Sequence, residues 1–280
     1  MLGLGLGLQK SAMVGGFIGL LDIFPNAAAA YSLRKLRAAY SGSAVRVRKE
    51  VSLVSSETDI GFLADGSLDT VSLLAFASDA DNGDVFVVTW YDQSTNGNYA
   101  TQGAGAAQPK IVSSGAVITE GTSAKPAIEF DGVDDKLTAV NNWTTGNSTT
   151  LHILTVNDSS IRILLGSYYN AIFYNEKQVA YDGTIWNEST NAVSLGQNLL
   201  EYTYYNNGGN IKYYNNGVSN GSSTISGTQQ INNNIGSFTP TNNTYAFDGK
   251  YQELIHYPSD QSANRAGIET NINTFYSIYS

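Results

Sequence analysis

Apolar positions in this chain gather mostly in short β-branched and aromatic runs rather than at helical spacing. Val85–Trp90, VFVVTW, is the clearest, and such a run predicts a strand buried on both faces. It gives way to Tyr91-Asp92-Gln93-Ser94 and then Thr95-Asn96-Gly97-Asn98. These residues bond their own backbone or accept left-handed φ, so the strand is expected to run into a tight polar loop at one end of a sheet. Further strands are expected near Ile111–Val112, Val117–Thr119, Ala127–Phe130, Lys136–Val140, Leu151–Val156, Arg162–Tyr168, Ala171–Tyr174 and Gln178–Tyr181. Asn206-Asn207-Gly208-Gly209, between Leu199–Tyr205 and Asn210–Tyr214, reads as a hairpin turn, and Asn215-Asn216-Gly217 as another. Lys250–Tyr257 alternates as a closing strand. Strands at this spacing with Asn/Gly turns predict an all-β, two-sheet antiparallel sandwich or a barrel. Helical periodicity is confined to three stretches. Asn26 is placed to cap a short N-terminal helix from Ala27 to Tyr40, stopped by Gly42. Leu68–Phe76 predicts a second. A C-terminal helix, Gln261 to Tyr276, is capped by Ser259 or Asp260 and carries Ile268, Ile272, Phe275 and Tyr276 as its apolar stripe.

The beginning of the chain breaks this pattern. Met1–Leu8 alternates Leu with Gly, and a period of two puts Leu2, Leu4, Leu6 and Leu8 on one face of an extended segment. With Phe17, Leu20 and Leu21 they are expected to form a hydrophobic arm, residues 1–24, that pairs with the chain's own sheet or with a neighbouring subunit, a flexible tail being the alternative, and leaves residues 25–280 as one sandwich domain. A signal peptide is a poor fit, because no basic region precedes the first Leu run. No stretch has the ~20 unbroken apolar residues of a membrane-spanning helix.

Composition narrows the function classes. The 280 residues include 28 Gly and 18 Tyr but only 14% charged residues, below the ~25% of an ordinary domain. Polarity comes from Asn, Ser and Thr, which suits many turns and surfaces that bind through hydrogen bonds and rings. A net charge of −9 argues against a nucleic-acid partner. Cysteine is absent, so stability owes nothing to disulfides. Arg34, Lys35 and Arg37 are expected on a solvated helix face, and Arg46 and Arg48 on a strand pointing outward.

Candidate chemistry is sparse. Glycoside hydrolysis needs two carboxylates, and Asp92, Glu129, Asp131, Asp134, Asp135, Glu176 and Asp182 are available. Asp92, just after a buried strand, is the leading single candidate, although a turn would use the same Asp as an acceptor. Asp79-Ala80-Asp81-Asn82-Gly83-Asp84 is out of register for an EF-hand and reads as a turn. No metal ligand set or cofactor is expected; nothing in the sequence supports a structural calcium ion. His152 and His256 lie within strands and read as packed residues. Glycan binding is the better fit: Tyr91, Tyr99, Trp143 and Trp186 offer flat faces to sugar rings, and Asp92, Asn96 and Asn98 offer hydrogen bonds to hydroxyls.

Four blocks carry a resemblance. Ala30-Tyr31-Ser32-Leu33-Arg34-Lys35-Leu36-Arg37-Ala38-Ala39-Tyr40-Ser41-Gly42 with Val45-Arg46-Val47-Arg48, and Thr89-Trp90-Tyr91-Asp92-Gln93-Ser94 with Gly97-Asn98 and Ala100-Thr101-Gln102, resemble the α-L-arabinofuranosidase B catalytic domain. Lys125–Gly132 and Phe247–Tyr257 resemble strands of concanavalin-A-like, laminin-G-like jelly rolls. The same blocks, with the Leu/Gly-rich start, resemble predicted bacteriophage virion proteins. The resemblance implies a jelly-roll sandwich over most of residues 26–280. It does not carry over the hydrolase nucleophile, a Glu on a mid-domain strand, since Arg162–Tyr168 and Ala171–Tyr174 hold no acid. The expectation is therefore a non-enzymatic virion structural protein, assembled in a bacterial cytoplasm as a homo-oligomer. Residues 1–24 would contact other virion proteins, and the sandwich would attach to host surface carbohydrate. The alternative is an arabinofuranosidase-type glycoside hydrolase.

Overall fold

The computed structural model describes residues 16–141, 147–160, 162–166, 171–181, 186–205, 209–224, 233–237 and 245–280. Its centre is a pair of long antiparallel strands, Ser148–Val156 and Asp248–Tyr257. All of Ser148–Val156 is buried, because both of its faces are covered. Leu151 and Ile153 meet Ile255 and Tyr257 and, above them, the C-terminal helix. Leu154 and Val156 face the opposite core with Tyr202 and Tyr251. On one side the order continues through Gly196–Tyr204, Asn210–Asn215 and Val218–Thr224. On the other it runs through Ile128–Asp131, Lys110–Ser113 and Val85–Trp90. A separate four-stranded sheet, Arg162–Ile163, Ala171–Tyr174, Lys177–Tyr181 and Trp186–Glu188, forms the opposing layer. It is fastened to the main sheet by buried polar tips. Tyr202 Oη donates to the Ile172 carbonyl at 3.0 Å, Tyr251 Oη to the Leu164 carbonyl at 3.1 Å, and Gln178 Nε2 to the Glu201 carbonyl at 3.1 Å. This is the all-β sandwich with short helices that the turn spacing predicts. Rings fill the space between layers: Trp90, Phe130 and Phe247 all lie edge-on or tilted to Tyr251, within 6.4 Å between centroids.

Three helices sit on this frame. α1 is Leu20–Ile23, α2 is Thr70–Ala77 and α3 is Arg265–Tyr276. α2 and α3 lie where periodicity places them, and Ile268, Ile272 and Tyr276 are buried as expected. α3 starts later than expected, with Asn264 at its N-cap.

The expected helix over Ala27–Tyr40 does not form. Ala29–Ser32 is instead a fully buried strand paired with residues 253–256. Its backbone is bonded on the other side as well, since Ala30 N–H reaches Asp92 and Gln93 N–H reaches the Ala30 carbonyl. Bonding on both sides outweighs the helix propensity of alanine. The boundary expected after residue 24 also moves. Leu20 and Leu21 are buried against Ile268, Ile272 and Leu151, inside the domain's second core. Phe17 lies against Gly66, whose φ of +84° leaves no room for a side chain beside the ring. Phe17, Leu20 and Leu21 thus pack against the sandwich itself; Leu2, Leu4, Leu6 and Leu8 lie outside the described residues.

Two arginines expected at the surface are buried. Arg34 donates to both oxygens of fully buried Glu253 at 2.8 and 3.0 Å, and Ser32 and Tyr276 complete the carboxylate. Arg48 is held by Gln108 Oε1 and the Gly105 carbonyl. Arg46 does face out, between Glu57 and Asp59.

Candidate functional site

Two Asp-bearing turns leave the sheet, and they are built differently. The first is 91–99. Asp92 is buried, and its oxygens accept from the backbone N–H groups of Ala30, Ser94 and Asn98 and from the Ser94 hydroxyl, at 2.7–3.0 Å. Gln93, also buried, accepts from Leu36 N–H and donates to the carbonyls of Ser32 and Arg34. Asn98 donates to the Ala28 carbonyl, and its own carbonyl takes the Tyr31 hydroxyl. Asp92 and Asn98 are therefore turned inward, stapling the loop to residues 27–36, and Asp92 has no free lone pair aimed at solvent. Tyr91 and Tyr99 remain at the surface, edge to face at 5.1 Å, and Asn96, exposed in the same loop, donates to the Ala27 and Ala28 carbonyls. Trp186 is exposed on the opposing sheet, 5.8 Å from Tyr174; Trp143 lies outside the described residues.

The second turn is 131–135, between Ile128–Asp131 and Leu137–Ala139. Asp131 closes it by accepting from Val133 and Asp134 N–H. Gly132 is required: its φ is +75°, and a Cβ there would sit 2.8 Å from the Asp248 side chain. The turn folds Asp135 back under the strand end, only 6% exposed, where it accepts from Asp131 N–H at 3.0 Å. Asp131, Asp134 and Asp135 each bring a carboxylate oxygen within 4.8 Å of the others. Burial first, then the charges of Asp131 and Asp134, push the Asp135 carboxyl up to about 7. Asp131 and Asp135 line a cleft of about 370 Å³, with Phe86, Lys110, Glu129 and Asp248 also on its walls. Lys110 pairs with Asp84 at 2.8 Å, and Asp248 accepts from Asn157 at 2.6 Å. A larger hollow, about 610 Å³ between Leu63, Leu74, Val117 and Phe275, has no acidic residue in its lining.

Three of the seven carboxylates nominated from sequence thus converge, Asp131, Asp134 and Asp135, and Glu129 lines the same cleft as Asp131 and Asp135. Asp92 is elsewhere and structural in its bonding. Glu176 is exposed in the turn between Ala171–Tyr174 and Lys177–Tyr181, and Asp182 lies outside the described residues. Lys110, Asp248 and Asn157 were missed; strand pairing brings them in from distant parts of the chain, although Asp248 stands in a recognisable Phe-Asp-Gly turn. The three clustered carboxylates are also the group, among the described residues, closest to a cation site. Asp79, Asp81 and Asp84 form no such set: they bond Lys49, Ser52 N–H and Lys110 respectively. His152 and His256 are fully buried; burial depresses both to about 3, with the neighbouring His256 adding to the effect at His152.

No protein-family model matches the sequence, and no curated protein matches it either. Solved structures do. A crystal structure of arabinofuranosidase complexed with arabinofuranosyl-alpha-1,2-xylobiose aligns over 92% of this chain and 65% of its own, with TM-score 0.64 and 15% identity. A GH54 α-L-arabinofuranosidase soaked with a cyclic sulfate inhibitor aligns over 92% and 66%, with TM-score 0.63 and 16% identity. A mutant of a GH54 α-L-arabinofuranosidase soaked with 4-nitrophenyl α-L-arabinofuranoside gives 92%, 66%, 0.64 and 16%. The chain therefore spans just under two thirds of the length of these structures. At this identity the likeness is one of fold, and the fold is one that glycoside hydrolases use. The expectation of a non-enzymatic virion protein is corrected accordingly: the chain has a glycoside hydrolase-like fold.

Proposed function

We propose that the chain is a carbohydrate-active domain that hydrolyses a neutral glycoside in the acidic cleft. The observation that carries this reading is Asp135, a carboxyl held near pKa 7 beside two other carboxylates at the mouth of a cleft. Neighbouring acids whose environments separate their pKa values divide into proton donor and partner. Asp135 would give its proton to the glycosidic oxygen as the C–O bond breaks. Asp131, the exposed member, would attack the anomeric carbon and form a glycosyl ester. Water would then release the sugar, its proton returning to Asp135. The oxygens of these carboxylates approach within 4.8 Å, nearer the ~5–5.5 Å of the two-step route than the ~6.5–9.5 Å that a single-step inversion needs for water. Acidic walls favour a neutral sugar over an anionic one. Arabinofuranosides are the first substrates to try, because the similar structures hold them.

The test is hydrolysis of 4-nitrophenyl arabinofuranoside and of plant and bacterial polysaccharides by the full chain. Turnover is expected to fall at least about 100-fold in Asp135→Asn and in Asp131→Asn, with the first product retaining its anomeric configuration. Wild-type protein inert across the panel, or turnover untouched by both substitutions, would reject the reading. Display on a phage particle through residues 1–24, with host glycans as substrate, is supported by the sequence blocks alone; mass spectrometry of purified particles tests it.

A further inference from the structure

A second surface is built for a ligand, and it lies on the other turn. Tyr91 and Tyr99 stand edge to face, and Tyr99 is 41% exposed. The loop that carries them is fixed by the bonds of Asp92, Gln93, Asn96 and Asn98 to residues 27–36. The clamp is firm enough to hold Thr95 at a φ of 79°, a conformation that β-branched residues avoid. Tyr91 is fixed at its tip too, its hydroxyl donating to Asp59 at 2.9 Å. Rings held in place before binding lose little freedom when a ligand arrives, which is how rigid aromatic anchors gain affinity.

The surroundings select the ligand. Arg46, the cation of this surface, is already engaged by Glu57 at 2.7 Å and Asp59 at 3.4 Å, and the whole chain carries −9. An anionic sugar would meet repulsion. A neutral sugar ring would find a flat apolar face at Tyr99 and acceptor oxygens on the exposed side chains of Asp59, Asn96 and Asn141, the two amide Nδ2 groups being bonded within the protein. We infer that Tyr99, braced edge to face by Tyr91, is a stacking face for one ring of a neutral glycan, separate from the acidic cleft. The inference stands whether or not the cleft is catalytic.

Saturation-transfer NMR on the full chain carrying Asp135→Asn, so that nothing is consumed, tests it. The probes are xylohexaose, arabinohexaose and cellohexaose, with a sialylated oligosaccharide as the anionic comparison. At least one neutral hexamer is expected to perturb the Tyr91 and Tyr99 ring protons. Its Kd should weaken at least tenfold in Tyr99→Ala, and stay within about threefold in Val218→Ala, an exposed position on the far edge strand. Circular dichroism checks that both variants remain folded. Perturbations confined to cleft residues, equal affinity for the sialylated probe, an unchanged Kd in Tyr99→Ala, or no binding at all would each overturn it.

Discussion

The turns at 91–99 and 131–135 use the same residue types at the ends of neighbouring strands, yet one is a fastener and the other a reactive edge. Asp92 receives three backbone N–H groups and a hydroxyl. Asp135 receives one backbone N–H and faces two like charges. Donors surrounding a carboxylate favour its charged form; a dry pocket shared with other acids disfavours it. The number and kind of neighbours, rather than the residue, separates a structural acid from a chemical one.

That contrast can be broken most decisively at Asp92. Asp92→Ala strands four buried donors, and the chain should lose about 3–5 kcal/mol of stability, seen as a large drop in the urea midpoint. Asp135→Asn should cost under about 1 kcal/mol, because an amide oxygen still accepts the Asp131 N–H. Equal losses at the two positions would erase the distinction.

The next effect is in pH. Asp135 and Glu201 are carboxyls raised by burial, to about 7 and about 8. Their folded-state values lie above the unfolded ones, so their contribution is full at low pH and is lost as pH rises through 7 and 8. His152 and His256, lowered to about 3, act in the opposite sense: unfolding takes up their protons below pH ~6.5, so stability is lost as pH falls. Two groups of each kind offset one another between about pH 4.5 and 6.5. Above that range only the carboxyls act, and stability should decline by roughly 2–3 kcal/mol by pH 8. Urea melts across this range check the shape. Glu201→Gln should remove most of the alkaline decline, and a curve still rising toward pH 8 contradicts it.

A smaller effect sharpens the comparison at the turn itself. Gly132→Ala, at φ +75° and against Asp248, should cost about 1–2 kcal/mol and lower hydrolysis by displacing the Asp131 carboxylate. The equivalent change at Gly97, φ +72° with open space around it, should cost only about 1 kcal/mol and leave hydrolysis alone. Thermal melts and turnover of the two variants separate the cases.

Much of the sheet was legible, for a physical reason. Val85–Trp90, Leu199–Tyr205 and Lys250–Tyr257 are alternating or β-branched runs bounded by turn residues, and local pattern suffices for them. Ala27–Tyr40 was misread because its conformation is fixed from outside, by residues 253–256 and by Asp92 and Gln93. Arg34 looked solvated because Glu253 lies more than two hundred residues away. The cleft was half visible: Asp131, Asp134 and Asp135 are adjacent in the chain, while Lys110 and Asp248 arrive only through strand pairing. Nothing local could show that Asp92 faces inward and Asp135 faces a cleft.

The most direct test is a ¹³C NMR titration of the aspartate side-chain carboxyls between pH 3 and 9 in the wild-type chain and in Asp135→Asn. One resonance should titrate near pH 7 and vanish in the variant. If every aspartate completes its titration below pH 5, Asp135 holds no proton at neutral pH and cannot serve as the donor.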